Sequence, residues 1–144
     1  QMQQFKTEGW LQATLASVLH KSFDVVAEYS SQEHWDLAIW KKGDIYKSNP
    51  ILIEIKCLSA SYNSDQQKIE KDVKKILGIR LECRKYYLII LPESKLPRKA
   101  AYAERMKNCL YRCSENRIKP KSFEKSILFK NSNEEGICYL LSRF

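Results

Sequence analysis

The chain has 144 residues, with 25 Lys+Arg against 17 Asp+Glu and a formal charge of +8. That length suits one domain with one core and excludes a core plus an unrelated second domain. At 44% hydrophobic and 29% charged, with only 4 Gly and 4 Pro, the chain is neither disordered nor low-complexity.

The first periodic segment is Thr7–Lys21, where Trp10, Leu11, Leu15, Val18 and Leu19 form a helical stripe. Thr7 reads as its N-cap, and Glu8 sits in the first turn, where negative charge is favoured. Three strands follow at Val25–Tyr29, Trp35–Trp40 and Ile51–Cys57, with a turn at Lys41-Lys42-Gly43-Asp44 and a loop at Ser48-Asn49-Pro50. Asp65–Ile79 predicts a second helix, with Ile69, Val73, Ile76 and Leu77 inward and Lys68, Lys71, Lys74 and Lys75 mostly outward. Tyr86–Leu91 is a fourth strand and Leu96–Cys113 a third helix, with Pro97 near its first turn. Ser126–Lys130 and Ile137–Leu141 read as short late strands around a hairpin at 131–136. The result is an α/β fold with a mixed sheet in a single domain, its core at about 7–91 and an appendage at 92–144.

No apolar run approaches the roughly 20 residues that cross a bilayer, and no signal-peptide pattern surrounds Phe5. Neither a membrane nor secretion is expected, and the opening Gln1 reads as the edge of a domain excised from a larger host protein. Cysteines at 57, 83, 109, 113 and 138 are odd in number and scattered, which points to reduced thiols and a cytoplasmic setting. Cys109 and Cys113 are four apart, but with no second pair or nearby His they read as buried small hydrophobes. Charge is uneven. Residues 1–64 hold 6 Lys+Arg and 7 Asp+Glu, whereas residues 65–125 hold 17 and 8. A neutral half joined to a basic half suits a polyanion held against one side.

Chemistry concentrates in the third strand. Along Ile51-Leu52-Ile53-Glu54-Ile55-Lys56-Cys57 the alternation puts the isoleucines on one side and Leu52, Glu54 and Lys56 on the other. A strand this apolar belongs inside a sheet, where an unpaired charge costs several kcal/mol. Glu54 and Lys56 therefore need each other or a metal ion. In the second strand Asp36 is a further isolated acid, on the face opposite Trp35, Leu37 and Ile39. If these strands are neighbours, Asp36 and Glu54 converge on one cation with Lys56 beside it, and two carboxylates, waters and a substrate phosphate make a Mg²⁺ site. A second Glu-x-Lys, Glu93-Ser94-Lys95, lies between Pro92 and Pro97 in a loop and is set aside.

An acid on one strand, Asp36, followed by Glu54-Ile55-Lys56 on the next, in the order helix, three strands, helix, strand, resembles the PD-(D/E)XK nuclease superfamily. The resemblance covers about 85 residues and implies a restriction-endonuclease-like α-β-β-β-α-β core. It implies a Mg²⁺- or Mn²⁺-dependent endonuclease, with DNA the expected substrate and RNA a possible one. Asp36 and Glu54 would hold the metal, the Ile55 carbonyl would add a ligand, and Lys56 would position or activate the water. Glu8 corresponds to the first-helix glutamate that many members add to the metal site, and is equally readable as a helix-start charge. Lys68, Lys71, Lys75, Arg84 and Lys85 are the expected phosphate contacts, and a homodimer would address two strands. His34, on the Asp36 face, is a candidate extra ligand or proton shuttle. Three other readings stand beside this one: a catalytically silent binding domain of the same fold, an RNA endonuclease, and an unrelated α/β scaffold whose strand charges are structural.

Overall fold

A computed structural model of the chain describes residues 8–47, 49–58, 61–79, 83–92, 99–115, 124–126 and 137–144. Its elements are α1 (Glu8–Leu19), β1 (Phe23–Ser31), β2 (Glu33–Lys41), β3 (Ile51–Cys57), α2 (Tyr62–Gly78), β4 (Lys85–Pro92), α3 (Lys99–Cys113), β5 (Glu124–Ser126) and β6 (Ile137–Arg143). The six strands form one sheet in the order β1-β2-β3-β4-β6-β5. Among the described strands only β3 and β4 run parallel, joined by α2 as the crossover that parallel strands require. The fold is α/β with a mixed sheet, as the sequence implies.

Each face of the sheet is covered by helix. On one face Trp10, Leu11, Leu15, Ala16 and Leu19 of α1 pack on Leu37, Ile39, Ile53, Ile55 and Ile90. On the other, Ile69, Val73 and Ile76 of α2 and Tyr102, Met106, Cys109 and Leu110 of α3 cover Ala38, Trp40, Leu52, Tyr87, Ile89 and Leu140. Most of these side chains are within a few per cent of full burial, and each fully buried Leu, Ile, Val or Met contributes about 1.5–3 kcal/mol.

The ends of the elements differ from the expected ones. The amide of Asp65 already donates to the carbonyl of Ser61 at 2.8 Å, so α2 begins three residues before Asp65. β1 and β2 extend to a tip at Gln32, which takes φ 62° to turn the chain in a single residue. Gly43, at φ 84°, supplies the left-handed step of the turn after β2, and Ile45 and Tyr46 stand exposed beyond it. The last strands pair antiparallel as expected, with β5 described at Glu124–Ser126. Residues 127–130, Thr7 and the 96–98 start of the third helix lie outside the described residues. The segment set apart as an appendage supplies β6, paired with β4 from Tyr86↔Arg143 to Pro92↔Ile137, and α3, whose side chains enter the core.

Side-chain alternation slips once. Trp35 packs with Ala38 and Trp40, not with Leu37 and Ile39, so the three residues expected on one face divide between two. The slip falls at Asp36. Its register neighbour across the β1–β2 pair is Glu28, which adopts φ 54° inside β1. Such a conformation costs a non-glycine residue about 1–2 kcal/mol.

Candidate functional site

The site grows from the edge of β3. Toward β4, the amide of Leu52 donates to Arg84 O and that of Leu58 to Ile90 O, both at 2.9 Å. In a strand the intervening amides point the other way, toward β2. There the β2–β3 ladder consists of Leu37↔Ile53, Ala38↔Leu52 and Ile39↔Ile51. Beyond Ile53 the next two outward amides are taken by side chains. Ile55 N–H donates to Asp36 Oδ2 at 2.7 Å, and Cys57 N–H donates to Glu8 Oε2 at 3.1 Å. Two carboxylates from α1 and β2 thus replace a missing ladder and satisfy part-buried backbone groups.

Glu54 and Lys56 lie on the α2 face, as the alternation requires, and α2 supplies a counter-charge for each. Glu54, 6% exposed, is bonded by Lys75 Nζ, which also donates to His34 O at 2.8 Å and lies 5.2 Å from the Trp35 ring centre. Lys56 Nζ lies 3.4 Å from Asp72 Oδ2 and 3.8 Å from Glu8 Oε1. Asp72 in turn accepts a 2.7 Å hydrogen bond from the buried Tyr87 hydroxyl. Asp72 and Lys75 are three residues apart, one turn along the helix, so one helix face delivers an anion to Lys56 and a cation to Glu54.

Burial sets the titration of these groups. It pushes the Asp72 carboxyl above its ordinary range, against the pull of the Tyr87 hydrogen bond and the Lys56 charge. It pushes the Tyr87 hydroxyl well above the usual tyrosine value, and the Asp72 charge adds to that. It also draws the Lys75 ammonium below the ordinary lysine value, with Asp36 and Glu33 opposing.

Asp36, Glu54, Lys56, Ile55 and Glu8 all meet at the C-terminal half of β3. The expected convergence of Asp36 and Glu54 on one cation is not seen among the described residues. Asp36 lies in the plane of the sheet against the Ile55 amide, while Glu54 points to α2 and is neutralised by Lys75. Lys75 therefore belongs to the charged cluster and not to the outward set. Among the other basic residues, Lys71 is exposed, Lys68 lies 3.9 Å from Asp65, Arg84 is exposed, and Lys85 reaches Ile79 O at 3.4 Å. Lys71, Lys74 and Lys75 line an open cavity of about 440 Å³ with Gln32, Glu33, Gly78 and Ile79, so Lys75 borders both this cavity and Glu54.

Asp72 and Tyr87 were not legible as members of this cluster, and Lys75 was expected as a phosphate contact and not as the partner of Glu54, although a signal existed. Two charges on one face of an inner strand require opposite charges on the helix that covers it, and Asp72 and Lys75 flank the apolar stripe of α2. Gln12, one turn after Glu8, donates to Asp36 O at 2.8 Å and to Glu28 Oε1 at 3.0 Å. His34 pairs with Glu28, and the ligand atoms of Glu28, His34 and Asp36 lie within 4.8 Å of one another on the exposed β1–β2 ribbon. Among the described residues, no helix is long and apolar enough to cross a membrane. No family model, no curated protein and no solved structure matches the chain.

Proposed function

We propose that this chain is a metal-dependent phosphodiesterase that cuts nucleic acid, DNA foremost, on a restriction-endonuclease-like core. The observation that carries this reading is the pair of carboxylates, Asp36 and Glu8, bonded to successive outward amides of β3 on either side of Lys56. Acids from α1, β2 and β3 lie there beside a lysine, and carboxylate oxygens are the donors that hard divalent cations favour.

The oxygen donors suit Mg²⁺ or Mn²⁺. Asp36 and Glu54 would hold the ion, with Glu8 and the Ile55 carbonyl as further ligands. A bound ion would neutralise charge on the scissile phosphate and order a water. The rest falls to the chain. Lys56 carries three N–H donors, and Asp72 and Glu8 fix its direction. Its remaining donor would meet the attacking water or a non-bridging phosphate oxygen as charge develops. Tyr87 holds Asp72 in place from the core. Lys71 and Lys74, exposed beside the cavity that Lys75 borders, would take backbone phosphates.

One observation favours a second reading. Lys75 already neutralises Glu54, as it would in a domain that binds nucleic acid without cutting it.

The deciding experiment offers supercoiled plasmid, single-stranded DNA and RNA of equal length to the wild type, Asp36→Asn and Lys56→Met, with Mg²⁺, Mn²⁺ or EDTA. The expected result is metal-dependent cutting that falls about a hundredfold or more in either variant. Retardation of DNA with no cutting in either metal would select the silent binding domain.

A further inference from the structure

Cys109 and Cys113 lie four residues apart on α3, one turn above each other, with their sulfurs 3.8 Å apart. The sequence offers them no third ligand. The fold does: a carboxylate oxygen of Glu70, on α2, lies within 4.8 Å of both sulfurs. From this convergence we infer that Cys109, Cys113 and Glu70 form a site for a thiophilic divalent cation, Zn²⁺ foremost, that clasps α3 to α2.

The geometry suits that ion. A tetrahedral zinc with Zn–S bonds of about 2.3 Å holds two of its sulfurs about 3.8 Å apart. The thiols therefore need no rearrangement, and only the Glu70 side chain has to close in. Glu70 is exposed and tethered by one hydrogen bond, from Gln66 Nε2 at 3.1 Å, one turn back on the same helix. Access is graded: Cys109 is buried, Cys113 is half-buried and Glu70 is in solvent. The ion enters from the Glu70 side and keeps a water in its fourth position.

The donor chemistry separates this site from the β3 cluster. Two sulfurs select a borderline-soft ion, whereas the all-oxygen set around Glu54 selects a hard one. Burial holds both thiols above the ordinary value. Binding then forms two metal–sulfur bonds and releases the two thiol protons to solvent. The inference does not depend on the nuclease reading.

The test titrates the reduced full chain with Co²⁺ and then with Zn²⁺, following the absorption spectrum. One equivalent of Co²⁺ should give near-ultraviolet thiolate-to-metal bands with the visible bands of a tetrahedral ion, and Zn²⁺ should bleach them. Cys113→Ser should weaken binding by about tenfold or more. Glu70→Gln should weaken it while retaining the thiolate bands. Cys57→Ser, Cys83→Ser and Glu54→Gln should leave the spectrum unchanged. Because Cys109 is part of the core, its substitution could unfold the chain, and the decision rests on Cys113 and Glu70. A spectrum without thiolate bands, or one that survives Cys113→Ser, overturns the inference. So does a disulfide between Cys109 and Cys113, mapped by peptide mass after exposure to air, with no metal uptake.

Discussion

Lys75 holds three groups at once: the Glu54 carboxylate, the His34 carbonyl and the face of Trp35. Replacing it with methionine preserves the volume and leaves Glu54 charged and nearly buried, which should cost about 3 kcal/mol in urea unfolding with EDTA present. If Glu54 is a metal ligand, saturating Mg²⁺ should recover part of that loss, because the ion takes over the neutralising charge. Wild type should gain less from Mg²⁺ than Lys75→Met does, and equal gains would remove Glu54 from the metal site. The strand charges themselves were readable, since period-two alternation puts Glu54 and Lys56 on one face whatever surrounds them. Their partners were not. A lysine one position from Ile76 sits at the margin of an apolar stripe, where a turn of a few tens of degrees separates solvent from core.

At the scale of elements, α1 is what brings Glu8 to the edge of β3 and Gln12 to Asp36 and Glu28. Its hold on the sheet is apolar, and Leu11 is its most buried residue, at 8% exposure. Leu11→Ala should cost about 2–4 kcal/mol in unfolding. The same substitution should lower cleavage more than it lowers DNA affinity, because it loosens Glu8 and leaves the basic face of α2 untouched. Equal losses would show that α1 serves the fold alone. The elements were the legible part of this chain, because β3 is bounded by a proline and an apolar run and α2 by a clean helical stripe. What misled was the region after Pro92. Its helix and late strands read as an appendage, yet β6 gains its place by pairing with β4, a long-range contact that no local pattern announces. The slip between Trp35 and Leu37 is illegible for a related reason, since it coincides with the left-handed backbone of Glu28 on the neighbouring strand.

For the whole molecule, the excess of positive charge lies in residues 65–125, and its exposed part on α2 borders the cavity beside Glu54. If Lys71 and Lys74 each meet a phosphate, neutralising both should lower the slope of log affinity against log salt by about 2 units on duplex DNA, measured by anisotropy. An unchanged slope would move the track elsewhere on the basic half. The backbone of β3 sets a different kind of limit. Asp36 and Glu8 fasten the amides of Ile55 and Cys57 as a neighbouring strand would, so each carboxylate has a mechanical duty separable from any chemistry. Asparagine at 36 keeps the fastening and discards the charge, whereas alanine discards both. A descendant of this chain that ceased to react would still be under selection to keep an oxygen acceptor at these positions. Persistence of these two residues across relatives would therefore testify to the shape of the sheet before it testified to catalysis.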